Sequence, residues 1–114
     1  MEIITKEIER KLPHFYATEE EDKQGERSVI VKFFTPWSNW TWYVFEGEKQ
    51  ENGDWLFYGL VSGHEKEFGY FTLSQLTEIN GPFGLKIERD MYLGKKTLQD
   101  LEPDFCQNFW KEEN

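Results

Sequence analysis

The chain has 114 residues, of which 38% are hydrophobic and 18% aromatic, enough for one globular domain and too few for two. Acidic residues outnumber basic ones by 22 to 13, and the net charge of -9 repels nucleic-acid phosphates and anionic lipid headgroups. A single cysteine, Cys106, excludes an internal disulfide framework and a multi-cysteine metal site. With no apolar stretch of membrane-spanning length, the composition predicts a soluble cytoplasmic protein.

The N-terminal segment, residues 1–13, has the spacing of a short amphipathic helix. Its apolar side chains Ile4, Ile8 and Leu12 recur every four positions, and a proline ends the pattern. Residues 19–27, by contrast, contain no apolar side chain. We therefore expect an exposed acidic loop there.

Residues 28–72 predict an antiparallel meander. Runs of β-branched and aromatic residues alternate there with turn residues, and Asn52-Gly53 is the strongest hairpin signal. The second run, residues 40–46, places apolar side chains on both faces of a strand, so the sheet needs cover on both sides or must curl strongly. The predicted strands are 29–34, 40–46, 55–61 and 68–71.

The centre of this predicted sheet is expected to form the core. Large apolar side chains in the middle of a strand bury the most area on folding. We expect at least three of four such residues to be buried: Val31, Trp42, Phe57 and Phe71.

Residues 73–114 predict short helices and one extended segment. Thr72 and Gln75 have the spacing of a capping box at the start of a helix, and Pro103 at a first helical position begins the last one. The predicted fold class is α+β. A single domain over residues 1–114 has a curled antiparallel sheet of about four or five strands covered by short helices.

Several short motifs follow one another in a characteristic order. They are KFFTP at 32–36, WTWY at 40–43, FYG at 57–59, GYFTL at 69–73 and GLKIERD at 84–90. In this order they resemble the bacterial family known as domain of unknown function 2958, over about residues 3 to 96. The resemblance implies a small single-domain protein often encoded on plasmids, phages and other mobile elements. It also implies an accessory or counter-defence role, without an established reaction.

The aromatic segment 33–43 carries three tryptophans within six positions, more than one strand face can bury. Core packing is one interpretation and a surface platform is the other. Trp37, in a predicted turn, and Trp40 are the candidates to anchor a protein partner. Base stacking is disfavoured, because Lys32 is the only cation nearby.

A run of four acidic residues is the second candidate surface. Such a run is commonly solvated surface. The alternative is that carboxylates on a rigid fold imitate a nucleic-acid backbone and occupy a basic groove on another protein, where opposite charge raises the association rate. The four residues are Glu19, Glu20, Glu21 and Asp22.

A pocket around two carboxylates and an arginine is the third candidate. Such a pair can perform acid–base chemistry if a pocket separates the two pKa values. The ordinary alternative is that the arginine pairs with a carboxylate or with backbone carbonyls. No zinc or phosphate-loop motif is present, so no metal or cofactor is expected. The pocket candidates are Tyr43, His64, Glu88, Arg89 and Asp90.

From the sequence alone, the leading hypothesis is a non-enzymatic, acidic protein-interaction module. Its expected partner is a protein with a basic surface, and no direct binding of nucleic acid or membranes is expected. The alternative is a small enzyme or ligand-binding domain built on the pocket. A concave site with converging polar side chains would favour that alternative. The identity of the partner and the oligomeric state stay open.

Overall fold

The computed structural model describes residues 2–21 and 26–113, with side chains as far as residue 109. Seven strands are found in these ranges, and β2 to β6 form one open antiparallel sheet in the order β5-β4-β3-β2-β6, while β1 pairs with β7. The strands are β1 (Ser28–Val29), β2 (Val31–Phe34), β3 (Thr41–Lys49), β4 (Trp55–Ser62), β5 (Lys66–Thr72), β6 (Glu88–Arg89) and β7 (Lys96–Thr97).

Short helices pack against this sheet, which confirms the α+β prediction. They are α1 (Lys6–Lys11), α2 (Leu73–Thr77), α3 (Leu98–Leu101) and α4 (Pro103–Glu113). The predicted capping box is confirmed, because Thr72 accepts from the backbone of Gln75 and the Gln75 side chain accepts from the backbone of Thr72. Among the described residues, no helix is long and apolar enough to cross a membrane.

Each face of the sheet has its own apolar core. On the first face, Phe33, Trp42 and Phe57 pack against one another, with Leu12 beside α1 and Leu76 of α2 covering them. All four of the mid-strand residues expected in the core are buried, as predicted: Val31, Trp42, Phe57 and Phe71. On the second face, the buried residues come from the sheet and from the C-terminal helices: Tyr43, Phe45, Leu60, Leu98 and Cys106.

A β-bulge interrupts β3 at Phe45. Val44 pairs with Gly59 and Glu46 pairs with Tyr58, so Phe45 is an extra residue without a partner on β4. Successive strand residues normally point to opposite faces, but the bulge places Phe45 and Glu46 on the same, second face. Glu46 is consequently buried among apolar residues, although strict alternation along the sequence would not place it there.

The expectation of an exposed loop over residues 19–27 is wrong at Arg27. Glu19–Glu21 and Glu26 are exposed, but Arg27 is buried. The absence of apolar side chains does not keep a segment at the surface when a charge within it has a buried partner of opposite sign. Residues 22–25, including Asp22, lie outside the described residues.

Candidate functional site

The two tryptophans proposed as anchors are half-buried. The ring of Trp37 lies directly against Gly81, where a side chain would overlap the indole. Trp40 lies in the same way against Gly63, and its ring centroid is 5.9 Å from that of Trp42. Both indoles therefore support neighbouring turns, and neither projects freely into solvent.

The described acidic residues of the run, Glu19–Glu21, are exposed and follow a segment that is tied to β3. The backbone N–H and the hydroxyl of Thr18 donate to Glu46 Oε2 at 2.9 and 2.6 Å. The backbone N–H of Tyr16 donates to Glu46 Oε1 at 3.0 Å. The acidic run is thus held beside β3 of the sheet by one buried carboxylate.

Arg27 completes this buried network around Glu46. Its Nη2 atom donates to Glu46 Oε2 at 2.8 Å, and its guanidinium lies over the rings of Phe45 and Tyr58 at 5.0 and 5.1 Å. Burial alone would raise the pKa of Glu46, but the hydrogen bonds from Thr18, Arg27 and Tyr16 outweigh burial and lower it. Sequence reasoning missed this pair, because only the bulge brings Glu46 to the second face.

Three residues of the predicted pocket, Glu88, Arg89 and Asp90, line an open cavity of about 340 Å³ at the β6 edge, together with Lys32. Asp90 Oδ2 lies 3.8 Å from Lys32 Nζ. Arg89 is opposite Phe33, so it lies on the first face, whereas Glu88 and Asp90 lie on the second. Its Nη1 atom donates to the backbone carbonyls of Glu2 and Ile3 at 2.6 and 3.0 Å.

Tyr43 and His64 do not join these carboxylates. The hydroxyl of buried Tyr43 donates to Glu102 Oε2 at 2.6 Å, and burial together with this bond raises the pKa of the phenol. His64 is exposed in the turn between β4 and β5, with its ring 5.5 Å from that of Trp40. Since β3 and β2 lie between β4 and β6, His64 is roughly 14 Å from Glu88, three strand spacings away. Of the five pocket candidates, Glu88, Arg89 and Asp90 therefore line one cavity, and Tyr43 and His64 lie apart from it.

Exposed apolar side chains concentrate along the β6 side of the sheet. We call residues 82–92, which run along this edge, the border segment. Six large apolar residues are strongly exposed among the described residues, and four of them lie in the border segment. These four are Phe83, Leu85, Met91 and Tyr92. Sequence reasoning treated the segment as a loop followed by an extended stretch and did not single out these side chains.

Phe83 is the most unusual residue of the border segment. The N–H of Leu85 donates to the carbonyl of Pro82 at 3.1 Å, which closes a turn around Phe83 and Gly84. Both central residues have positive φ, 57° at Phe83 and 77° at Gly84, as in a type I′ turn. Asn, Asp and Gly suit the first central position of such a turn, and a bulky aromatic residue does not. Yet the Phe83 side chain is fully exposed and contributes nothing to the core.

Among the described residues other than glycine, Tyr16 is the second with a positive φ, which is 69°. Its backbone has a clear stabilising contact, because its N–H is bonded to Glu46 Oε1. Its side chain is hydrogen-bonded to Tyr70, which contributes to raising the pKa of Tyr70. Phe83 has neither kind of compensation within the described residues. The hydrogen-bonded turn accounts for the positive φ at Phe83, but no contact among the described residues accounts for a phenylalanine there.

Metal ligands do not converge in the described ranges: no three His, Cys, Asp or Glu side chains there could hold an ion together. The described residues present two surface features. One is the acidic run Glu19–Glu21, which is held beside β3, and the other is the set of exposed apolar side chains of the border segment along the β6 edge.

The chain belongs to the family described as proteins of unknown function, DUF2958, whose model matches residues 3–101. This match confirms the resemblance carried by the short motifs and extends it through α3. Neither the curated proteins nor the solved structures contain a match to this chain.

Proposed function

We propose that this protein is a non-enzymatic interaction module that binds a protein with a basic surface through its border segment. The observation that carries the proposal is the fully exposed side chain of Phe83 on a left-handed backbone. Large aromatic side chains at the centre of protein interfaces commonly supply much of the binding free energy. An apolar pocket on the partner would give Phe83 the contacts that it lacks in this chain.

Charge supports a basic partner. The net charge of -9 produces a field that attracts basic proteins from a distance and raises their association rate. The exposed carboxylates Glu19–Glu21 are fixed to β3 through Thr18 and Glu46, so they present charge from a defined position. In this proposal, the acidic surface accelerates the encounter and Phe83 slows dissociation.

A counter-defence role is the form of this proposal that the charge favours. The acidic chain would occupy a basic groove on a bacterial nuclease or DNA-binding protein and keep nucleic acid out of it. Such a partner would be met in the cytoplasm. A cytoplasmic location is consistent with a single cysteine, Cys106, that is buried.

Differential capture tests this proposal. Wild-type protein and the variants Phe83→Asn and Tyr16→Asn would each be immobilised and exposed to a lysate of a bacterium that encodes a member of this family. Asparagine suits the left-handed backbone at both positions, so both variants should fold. Tyr16→Asn is the matched control, because it also removes an exposed aromatic side chain from a residue with positive φ.

The expected result is a basic protein that wild type and Tyr16→Asn retain equally and that Phe83→Asn loses. Quantitative mass spectrometry of the retained proteins at low and moderate salt makes the comparison. If all three proteins retain the same set, Phe83 is not an anchor. If the proteins that depend on Phe83 are acidic or neutral, the electrostatic half of the proposal is wrong.

A further inference from the structure

A groove between the end of α1 and the β1–β7 pair combines lysines with an apolar wall. Its cavity volume is about 380 Å³, within the range of small-molecule sites. Ile30, half-buried, contributes apolar surface, and Ser28 and Thr97 contribute hydroxyl groups from paired positions of the two strands. We call it the lysine groove, and its cationic residues are Lys11, Lys95 and Lys96.

No carboxylate side chain of the described residues lines the lysine groove, although acids outnumber bases in the whole chain. Lys11 pairs with Glu7 at 2.9 Å, but both side chains are largely exposed, and such a pair on one helix face is weak. Lys95 and Lys96 form no salt bridge with any described residue. Three lysines therefore line one groove, and two of them, Lys95 and Lys96, have no carboxylate partner among the described residues.

The carboxylate closest in sequence to Lys96 is already engaged. Asp100 caps α3, and its pKa is lowered mainly by its hydrogen bonds with Thr97 and to a smaller extent by Lys96. The Asp100 Oδ2 atom accepts from the backbone N–H of Thr97 at 2.9 Å. Asp100 is thus held by the helix cap and leaves the ammonium group of Lys96 without a direct ion pair.

Backbone donors add to the lysines. Gly94 has positive φ, 65°, and none of the described residues accepts a hydrogen bond from the backbone N–H of Gly94 or Lys95. Consecutive N–H groups at a left-handed bend commonly bind anions. The lysine groove therefore offers hydrogen-bond donors of two kinds, ammonium and backbone amide.

A neighbouring cavity of about 400 Å³ shares Lys11, Ile30 and Lys95 with the lysine groove. Its lining also includes Glu7 and Asp90, so its potential is less positive. We consequently expect an anionic group to bind at the end of the lysine groove that contains Lys96. An uncharged part of the same ligand has room in the direction of the neighbouring cavity.

We propose that the lysine groove binds a small molecule that carries a polyphosphate group, such as a nucleoside diphosphate or triphosphate. Three lysines match the several negative charges of a polyphosphate, and the volume suits one nucleotide. A long nucleic acid would carry the same phosphates but would be repelled by the remainder of an acidic chain. The lysine groove itself contains no residue of the border segment, although Asp90 and Met91 of that segment line the neighbouring cavity.

Calorimetric titration with inorganic tripolyphosphate and with ATP tests the site directly. The test variant is Lys95→Gln/Lys96→Gln, and the matched control is Lys49→Gln/Lys86→Gln, which removes the same charge from exposed residues outside the groove. We expect saturable binding that the test variant weakens by at least about tenfold and the control by less than about twofold. All four lysines are exposed, so both variants should fold.

Three outcomes would overturn the proposal. The first is a failure of tripolyphosphate and ATP to saturate wild type at millimolar concentration. The second is an equal loss of binding in the test and control variants, which would indicate general attraction to cations. The third is tighter binding of a single-stranded oligonucleotide than of ATP at equal salt, which would assign the groove to nucleic acid instead of a small molecule.

Discussion

Arg27 and Glu46 form an ion pair in the second core, with Arg27 Nη2 2.8 Å from Glu46 Oε2 and the two side chains only 4% and 2% exposed. Glu46 reaches this position through the bulge at Phe45. Its two oxygens also accept hydrogen bonds from Tyr16 and Thr18. One pair therefore connects β3, the segment before β1 and the segment that leads into the acidic run.

Removing either member of this pair should destabilise the fold strongly. Glu46→Ala and Arg27→Met should each lower the free energy of unfolding by about 3–5 kcal/mol, because each leaves a buried charge without its principal partner. Urea denaturation measures the change. Glu7→Ala, which removes an exposed ion pair of α1, is the control and should leave the denaturation midpoint almost unchanged. Equal effects of Glu46→Ala and Glu7→Ala would contradict the structural role of the pair.

The lowered pKa of Glu46 predicts a loss of stability in acid. Its carboxylate stabilises the native state above the ordinary glutamate value of about 4.3, and this contribution is lost as the pH falls through the lower pKa of the folded state. Unfolding free energies measured from about pH 7 to about pH 3 should therefore fall more for wild type than for Glu46→Gln. Asp54 and Asp100, whose pKa values are also lowered, remain in both proteins, so the difference isolates Glu46. Identical slopes would show that Glu46 does not lose a proton more readily in the folded state.

Gly59 of β4 and Gly69 of β5 face each other, but substitution by alanine should destabilise the protein at only one of the two positions. Gly59 pairs with Gly69, but a Cβ at Gly59 would overlap the carbonyl oxygen of Tyr43, whereas a Cβ at Gly69 would meet nothing. Gly59→Ala should lower the free energy of unfolding by at least about 1–3 kcal/mol. Gly69→Ala should change it by less than about 0.5 kcal/mol. Thermal melting of the two variants checks the close approach of β4 to β3 at Gly59, and a tolerated Gly59→Ala would show that the two strands are not this close.

Phe83→Asn should stabilise the isolated protein. Asparagine adopts the left-handed conformation more readily than phenylalanine, and no core contact is lost, so the free energy of unfolding should rise by about 0.5–1 kcal/mol. Tyr92→Asn is the control, because Tyr92 is almost fully exposed but has no positive φ. Denaturant titrations of both variants make the comparison. A destabilised Phe83→Asn would mean that Phe83 makes a folding contribution and that its exposure needs no partner.

The regular parts of this fold follow from local sequence patterns. The alternation through Trp42 and Val44 predicts one buried face, and the Thr72 capping box predicts the start of α2. These features depend on residues close together in the chain, where spacing and turn chemistry determine the structure. The prediction of two covered faces succeeds for the same reason.

The irregular parts depend on contacts that spacing does not reveal. A bulge of one residue at Phe45 changes the face of Glu46, and the partner that makes this burial favourable, Arg27, is 19 positions earlier. Alternation likewise places the side chain of Arg89 on the opposite face from Glu88, although both residues line the cavity at the β6 edge. Phe83 carried a usable signal, since a large aromatic residue between Pro82 and Gly84 is unusual in a turn.

The dissociation rate of the captured basic partner tests the interaction through Phe83 most directly. We predict that Phe83→Asn increases this rate at least about tenfold while the association rate changes by less than about threefold, because an anchor in a pocket acts after the encounter. The association rate of wild type should fall steeply as salt rises, since the attraction is long-range. An unchanged dissociation rate for Phe83→Asn, measured on a partner that wild type binds, would contradict the role of the border segment as the contact surface.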